Sequence, residues 1–389
     1  MKTYEEINEK IVNGDVVVVT AEEMKEIVEE MGPKKAAEEV DVVTTGTFGA
    51  RCSSGVFLNF GHADPPIKMM KAWLNGVPAY CGLAAVDVYL GATELREDLS
   101  LDYGGAHVIE DLLKGKEVHL KAIGYPTDCY PRREIDTYIT LDSINQAIMV
   151  NPRNVYQNYG VATNSTERTI YTYMGKLLPK FGNANYTTSG ELNPLINDPY
   201  YRTIGIGTRI FIGGAQGYII NEGTQFHPDV ARTHRGVPKE PAATLAVVGD
   251  LKKMSPEFIK AITIPKYGVS MMVGIGIPIP ILDVEMAKFT AVRNEEIYTT
   301  VYDYGIPHRD RPAIREVSYA ELKSGHIEIE GKEVPTYHIG SYPKARKIAE
   351  ILKNWIKRGD FYLQKPIEPF PLKREFKPLK IRRKRNGGN

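Results

Sequence analysis

Apolar and polar positions along the chain change repeatedly between the spacing of a helix and that of a strand. Residues 5–12 follow a helical pattern, whereas residues 15–20 form a β-branched run that is typical of a buried strand. Thr20 and Glu23 form a capping box, which predicts that a second helix begins there. Another β-branched stretch at residues 41–45 predicts the next strand, so the N-terminal region alternates helix and strand.

The same alternation continues through the rest of the chain. Residues 46–55 and 124–133 are rich in glycine or proline and predict loops. Further strands are expected at residues 117–123, 138–141, 245–248 and 269–277, and helices at residues 104–113, from 142, at 255–262, 283–289 and 344–357. Because no internal repeat or Ser/Gly linker divides the chain, the pattern predicts an α/β fold of mixed sheets with flanking helices, built as one large compact unit.

Charge distinguishes the C-terminal end from the remainder of the chain. The 389 residues contain 49 Lys and Arg and 48 Asp and Glu, which gives a net charge of +1. Residues 373–385 contain eight basic residues and one acid, so this stretch carries +7 and the remainder carries −6. We therefore expect a main domain over residues 1–371 and a basic, flexible tail over residues 372–389. The tail could contact RNA or an acidic partner, but the acidic body argues against nucleic acid as the main substrate.

Composition and hydropathy predict a cytoplasmic protein that does not enter a membrane. Hydrophobic residues make up 42% of the chain and charged residues 25%, as in ordinary globular proteins. The longest uncharged run, residues 267–282, includes two prolines and is shorter than the ~20 apolar residues that span a bilayer. The charged N-terminus lacks the apolar core of a signal peptide. Thiols stay reduced in such a compartment, where cysteine is more often catalytic or metal-binding than cross-linking.

The chain has three cysteines, Cys52, Cys81 and Cys129, and each lies in a glycine- or proline-flanked segment. Their spacing excludes a zinc ribbon, because no CxxC pair is present. Three interpretations are open. Each sulfur could be a small buried apolar group, two could form a redox pair or carry a persulfide, or all three could hold an iron–sulfur cluster with one open iron.

Three sequence strings carry a resemblance to a known family. They are TTGTFGARCSSG at residues 44–55, GYPTDCYP at residues 124–131 and GIGTRIFIGGAQG at residues 205–217. On these strings the chain resembles the homocysteine biosynthesis family of anaerobic archaea and bacteria, over nearly its whole length to about Pro371. The resemblance implies a sulfurtransferase that converts L-aspartate semialdehyde and sulfide into homocysteine, with Cys52 and Cys129 as the reactive pair. Many relatives carry C-terminal nucleotide-sensing domains, whereas this chain ends in the basic tail.

Electron counting defines what the implied reaction needs. An aldehyde and sulfide lose water to give a thioaldehyde, which requires two more electrons to become a thiol. A cysteine persulfide whose partner closes a disulfide could act once before a reductant resets it. A [4Fe-4S] cluster on the three cysteines, with hydrosulfide on the open iron, is the alternative. The resemblance also implies a ferredoxin-like electron-donor protein, and a homodimer is expected for an enzyme of this size.

We expect the three cysteine loops to converge at one pocket. Arg51, Arg132, Thr208 and Arg209 are candidates for binding the substrate carboxylate, because arginine grips carboxylates in a bidentate manner. The glycine-rich stretch that contains Thr208 and Arg209 could form a backbone nest for an anion or simply tight hairpins.

The candidate proton donors are Asp128 and His62, each near a cysteine in the sequence. Two other classes of protein remain open on the sequence alone. One is a non-catalytic module that binds a metabolite or RNA through the basic tail. The other is an acyl-transfer cysteine enzyme, which would need a base such as His62.

Overall fold

The structure is a computed structural model that describes residues 1–50 and 53–381. The described residues form seven α-helices and three short 3-10 helices. The α-helices are α1 Tyr4–Asn13, α2 Ala21–Glu39, α3 Gly105–Leu113, α4 Pro194–Asn197, α5 Val284–Phe289, α6 Tyr319–Lys323 and α7 Tyr342–Lys357. The 3-10 helices are Gly190–Leu192, Leu251–Lys253 and Asn294–Glu296.

Strands dominate the described part of the chain. In the N-terminal part they are β1 Val18–Thr20, β2 Val42–Thr44, β3 Thr47–Ala50, β4 Gly55–Asn59, β5 Met69–Leu74, β6 Val77–Ala79, β7 Asp87–Gly91, β8 Val118–Gly124, β9 Glu134–Ile139 and β10 Gln146–Asn154. The middle part contributes β11 Val161–Thr163, β12 Ile170–Thr172, β13 Gly175–Leu177, β14 Ala184–Tyr186, β15 Gly205–Ile206, β16 Arg209–Ile212, β17 Ala215–Glu222 and β18 Leu245–Asp250. The C-terminal part contributes β19 Ile259–Ile264, β20 Gly268–Gly276, β21 Pro278–Pro280, β22 Tyr298–Asp303, β23 Ala313–Ser318, β24 His326–Ile329, β25 Lys332–His338 and β26 Glu368–Pro369.

A nine-stranded antiparallel sheet forms the centre of the fold. Its strand order is β19-β20-β16-β17-β18-β10-β4-β7, and β3 pairs with β20 beside this path. The largest cluster of buried apolar side chains joins this sheet to α2, α3 and the four-stranded sheet β6-β5-β8-β9. At Gly274 of β20, an added Cβ atom would lie 2.8 Å from the Ile348 side chain of α7, so glycine lets this helix pack closely on the sheet.

The remaining sheets mix parallel and antiparallel pairs. They are the three-stranded β1-β2-β21, the six-stranded β23-β22-β11-β14-β25-β24, and the two-stranded β12-β13 and β15-β26. Parallel pairing joins β1 to β2, β11 to β22, and β14 to β25. The predicted α/β class with mixed sheets and flanking helices is therefore confirmed.

The capping signal at Thr20 is confirmed in atomic detail. The Thr20 hydroxyl accepts from the Glu23 backbone N–H at 3.3 Å, and the Glu23 carboxylate accepts from the Thr20 N–H at 2.7 Å. Each bond satisfies a backbone donor that the first helical turn leaves free, so α2 begins where the sequence predicts. Gly32 has a left-handed φ of 80°, which kinks this helix just before Pro33.

Two predicted helices are wrong, because their polar side chains stabilise turns instead. From residue 142 the chain makes a turn, in which the Ser143 hydroxyl accepts from the Thr140 N–H at 2.9 Å, and then enters β10. The Ser255 hydroxyl accepts from the N–H of Glu257 at 3.2 Å, after which the chain enters β19. Both are local alternatives to a helix N-cap. The predicted loop at residues 46–55 also contains β3 and the start of β4.

The described helices include none that is both long and apolar enough to span a membrane. In the tail, residues 372–381 are exposed, and Arg374 forms an ion pair with Glu222 on β17. The boundary between the main domain and the tail, placed after residue 371, stays a prediction.

Candidate functional site

A cavity of about 290 Å³ lies beside the central sheet. It is lined by Ser53, Thr93, Arg153, Tyr156, Tyr159, Tyr173, Gln225, Ile264, Tyr267, Val269 and Ser270. Its volume is at the lower end of the range for small-molecule sites. The lining contains one charged side chain, that of Arg153, so among the described residues the cavity wall carries a positive charge.

Arg153 reaches the cavity because β10 is irregular at this point. The pairing of β10 with β18 shifts register between Asn151 and Asn154, which is the sign of a β-bulge. Pro152 lies inside the irregular stretch, where proline in a strand is tolerated. The Arg153 N–H donates to the Asn151 side-chain oxygen at 3.0 Å, which fixes the local backbone.

The guanidinium of Arg153 has unused hydrogen-bonding capacity. Its Nη2 atom donates to the Ser53 hydroxyl at 3.4 Å. Its Nε atom is buried and has no hydrogen-bond partner among the residues that the structure describes. A buried donor without a partner is costly, so this guanidinium is prepared to receive an anionic group.

Tyrosine rings form much of the remaining wall. Tyr156 and Tyr159 are in edge-to-face contact with their ring centres 5.0 Å apart, and the hydroxyls of Tyr159 and Tyr173 are 3.0 Å apart. Tyr267 contacts Tyr173 at 6.3 Å between ring centres. Rings and hydroxyls together can bind both a small cation and neutral polar groups.

Two of the predicted site residues, Arg51 and Cys52, lie outside the described residues. The residues next to this dipeptide can be placed. Ser53, which is bonded to Cys52, lines the 290 Å³ cavity. Gly49 lines a second cavity of about 20 Å³, and Tyr156 lines both cavities.

Cys129 lies on an exposed turn. The Thr127 and Tyr130 backbones close the turn through two hydrogen bonds, and the Thr127 hydroxyl lies 3.6 Å from the Cys129 sulfur. The His62 ring stacks on Tyr130 at 5.8 Å between ring centres. The structure therefore brings His62, Asp128 and Cys129 to one surface region, where all three are exposed.

This surface region and the cavity lie beyond opposite ends of β4. Ser53 precedes the strand, whereas His62, which contacts the Cys129 turn, follows it. The four residue steps of Gly55–Asn59 alone span about 14 Å, at ~3.4 Å per residue. Neither Cys81 nor Cys129 lines the cavity, and the convergence of all three cysteine loops stays a prediction.

The Arg132 guanidinium is hydrogen-bonded to two backbone carbonyls. It donates from Nε to the Pro65 carbonyl at 2.8 Å and from Nη2 to the Asp64 carbonyl. These bonds hold the Cys129 turn against the segment that follows β4. Arg132 is thus engaged in positioning a loop and lies away from the cavity lining.

Thr208 and Arg209 also serve the fold at their positions. The buried Thr208 hydroxyl accepts from the Gly205 N–H at 3.0 Å, which closes a tight turn. The Arg209 guanidinium lies between the rings of Tyr218 and Phe361, at 5.8 and 5.9 Å from their centres. The glycine-rich stretch therefore forms hairpins, and neither side chain lines the cavity.

Cys81 is buried in the main apolar cluster, with 8% of its surface exposed. Its thiol donates to the Ala79 carbonyl at 3.5 Å. Burial raises the pKa of the Cys81 thiol, because an apolar environment disfavours the thiolate. Since the thiolate is the nucleophile and the metal ligand, these features favour the interpretation of Cys81 as a small apolar core residue.

Replacing Cys81 with alanine should leave catalysis and metal content unchanged. The substitution removes one buried sulfur, so we expect a loss of about 1 kcal/mol in the free energy of unfolding. Chemical denaturation, a turnover assay and iron analysis after anaerobic reconstitution measure the three quantities. A variant that keeps its stability but loses bound iron or turnover would show instead that Cys81 is a ligand or a catalytic thiol.

The described residues do not assemble a metal site around the cysteines. Within residues 1–50 and 53–381, no three His, Cys, Asp or Glu side chains come together as a possible metal-binding group. Cys52, one of the three candidate ligands, lies outside these residues. The described thiols differ in surroundings, with Cys81 buried and Cys129 exposed, and the [4Fe-4S] cluster stays a prediction.

Sequence reasoning missed Arg153 and the tyrosines that line the cavity. Residues 151–199 stand out in the sequence for their Asn, Tyr and Pro content, but this composition alone does not indicate a site. The useful signal was Pro152 inside an otherwise strand-like stretch, followed directly by an arginine. A proline there predicts a bulge, and bulges often redirect side chains into sites.

The mixed α/β fold contains a cationic, tyrosine-lined cavity whose size and lining suit a small polar molecule. Residues 16–363 match the family described as homocysteine biosynthesis enzyme, sulfur-incorporation. The chain therefore belongs to the homocysteine biosynthesis family, as the three sequence strings predicted.

Two characterised relatives are similar over almost the whole chain. The L-aspartate semialdehyde sulfurtransferase of Methanocaldococcus jannaschii is 56% identical over 98% of this chain and 75% of its own length. That of Methanosarcina acetivorans is 54% identical over 97% of this chain and 74% of its own length. An uncharacterized protein of Methanothermobacter thermautotrophicus is 31% identical over 83% of this chain and 72% of its own length. The chain matches no solved structure.

Proposed function

We propose that this protein is an L-aspartate semialdehyde sulfurtransferase that forms homocysteine from the semialdehyde, sulfide and two electrons. The high identity to two relatives of that name supports the activity. The observation that supports this site is the cavity lined by Arg153 and by Ser53, the residue bonded to Cys52, in which the buried Arg153 Nε has no partner among the described residues.

The cavity suits an amino acid with a short reactive side chain. The α-carboxylate binds to the Arg153 guanidinium, where charge-assisted hydrogen bonds satisfy the buried Nε. The α-ammonium lies against tyrosine rings and hydroxyls, since a cation is attracted to a ring face. With its two charged groups held on this wall, the aldehyde carbon is directed toward the chain that leads to Cys52.

The reaction balances with sulfide as the sulfur source. Sulfide adds to the aldehyde carbon, the carbonyl oxygen leaves as water, and a C=S bond remains. Two thiols then transfer two electrons and two protons to this bond, which forms the homocysteine thiol and leaves one disulfide. Each turnover therefore consumes one dithiol, and an external donor must reduce the disulfide again.

A persulfide as the sulfur source needs two further electrons. Its outer sulfur is two electrons more oxidised than sulfide, so closing the cysteine disulfide only releases that sulfur as sulfide. The external donor, a ferredoxin-like protein, then supplies the electrons that reduce the C=S bond. The two sulfur sources are distinguished by the number of reducing equivalents used for each homocysteine.

Cys52, which is bonded to the cavity residue Ser53, is the proposed reacting thiol, and Cys129 is its proposed redox partner. The exposure of Cys129 supports this assignment, since a thiol that is reset by another protein must be accessible, and buried Cys81 is not. Because Ser53 and the Cys129 turn lie beyond opposite ends of β4, the Cys129 thiol meets Cys52 either within one chain or from a second copy in the proposed homodimer.

The experiment is an anaerobic assay of the reduced, desalted protein with semialdehyde and sulfide but no other reductant. We expect at most one homocysteine for each chain, and continued turnover once a reductant is added. Cys129→Ser should form none without the reductant, while Cys81→Ser, the matched buried control, should behave like the wild type.

Peptide mapping of the oxidised protein should find the bond between Cys52 and Cys129. Non-reducing electrophoresis separates a bond within one chain from a bond between two chains. Wild-type protein that forms no homocysteine even with reductant would contradict the proposed function. Normal stoichiometry in Cys129→Ser would contradict only the role of Cys129.

A further inference from the structure

Three tyrosine hydroxyls form a continuous hydrogen-bonded chain that leads away from the cavity. Tyr159 and Tyr173 line the cavity with their hydroxyl oxygens 3.0 Å apart, and the Tyr173 hydroxyl is also 3.0 Å from that of Tyr304. Both distances are within the range of O–H···O hydrogen bonds. Tyr304 itself is not part of the cavity lining, so the chain connects the cavity to a residue behind its wall.

The outer end of this chain lies near solvent and beside a cation. Tyr304 is half-buried, and residues 307–310, which come shortly after it, are exposed. The Arg311 guanidinium lies over the Tyr304 ring at 4.1 Å from its centre. A positive charge at this distance stabilises the negative charge that a phenol carries between losing one proton and gaining the next.

We propose that Tyr304, Tyr173 and Tyr159 form a proton relay that supplies the cavity during turnover. This inference rests on the proposed function, because reduction of the semialdehyde to homocysteine by an external donor takes up two protons. The water that leaves carries the carbonyl oxygen and both protons of hydrogen sulfide, so the two protons that accompany the two electrons have to come from solvent. In the relay each hydroxyl gives its proton to the next oxygen inward and takes one from the oxygen outside it.

The relay assigns different roles to its members. Tyr159 and Tyr173 touch the cavity and are the candidate donors to the substrate. Tyr304 is a positioning residue, because it acts through Tyr173. A deletion of its hydroxyl should therefore slow proton delivery without changing how tightly the substrate binds.

The test compares single hydroxyl deletions in the full-length protein, with reductant present. Tyr304→Phe should lower kcat about tenfold, less than the ~100- to 10,000-fold effect of a direct general acid or base, because Tyr304 acts through Tyr173, and it should leave KM unchanged. Tyr302→Phe is the matched control, because it removes a hydroxyl two residues away on a ring that packs against Gly160. It should keep wild-type kinetics.

Two further readouts separate a relay from a packing effect. A small acid such as imidazolium should restore much of the kcat of Tyr304→Phe, because it can deliver protons in place of the missing hydroxyl. The variant with both Tyr173→Phe and Tyr304→Phe should be no slower than Tyr173→Phe alone, since one break already interrupts the chain. The comparison of the double variant with Tyr173→Phe still tests the relay if either single variant is less stable than the wild type.

The outcomes distinguish the relay from the reaction itself. Wild-type kcat in Tyr304→Phe, an equal loss in Tyr302→Phe, or additive losses in the double variant would each overturn the relay while the wild type still forms homocysteine. A wild type that forms no homocysteine would overturn the proposed function and the relay with it.

Discussion

Replacing Cys52 with serine is expected to lower homocysteine formation by at least ~1000-fold, since this thiol is the proposed redox-active nucleophile. A serine hydroxyl is a poor nucleophile at neutral pH, and it can form neither a persulfide nor a disulfide. Loss of the thiol therefore stops both the sulfide route and the persulfide route. Homocysteine is measured by chromatography after anaerobic incubation with semialdehyde, sulfide and reductant.

The same variant should still bind the substrate. Arg153 and the tyrosine wall are unchanged in Cys52→Ser, so the semialdehyde should protect it from thermal unfolding as it protects the wild type. Cys81→Ser is the matched control, because it makes the same substitution at a cysteine that is buried in the core. If Cys52→Ser keeps a tenth or more of the wild-type rate, Cys52 is not the reacting thiol.

Much of the fold is determined by local signals in the sequence. The two helices that were predicted wrongly, after residues 142 and 255, have a common cause. The capping box at Thr20 is set within a few residues, which is why the sequence predicts where α2 begins. At Ser143 and Ser255 the same kind of side-chain bond to the backbone forms, but it closes a turn. The strand after the first turn, β10, is selected by its antiparallel partners β4 and β18, which are far along the chain. The strand after the second turn, β19, pairs with the neighbouring β20, and the pattern around Ser255 alone does not contain that pairing.

The candidate site shows the same division between local and long-range information. The cysteines and their loops are visible in the sequence, and the resemblance selects Cys52 and Cys129 among them. Burial distinguishes Cys81 from Cys129, and burial depends on the packing of remote strands. The carboxylate candidates Arg132 and Arg209 were chosen by residue type, whereas their actual partners are backbone carbonyls and aromatic rings.

Replacing Arg153 with glutamine should raise KM for the semialdehyde strongly. The substitution removes the charged donors that face the cavity, and a hydrogen bond to a charged group contributes about 2 to 3 kcal/mol. That loss corresponds to roughly a 30- to 150-fold rise in KM. The KM of Arg153→Lys should lie between those of the wild type and Arg153→Gln, because lysine keeps the charge but lacks the planar guanidinium that binds a carboxylate through two hydrogen bonds. Steady-state kinetics over a range of semialdehyde concentrations measures the effect.

Arg209→Gln is the control that isolates the role of the cavity. Arg209 shares with Arg153 a buried Nε that lacks a partner among the described residues, but its guanidinium packs between two aromatic rings. If the loss of a buried arginine raised KM only by destabilising the fold, Arg153→Gln and Arg209→Gln would raise KM alike. We expect Arg209→Gln to lower the unfolding temperature and leave KM unchanged. A rise in KM for Arg209→Gln but not for Arg153→Gln would move the carboxylate site to the glycine-rich hairpin.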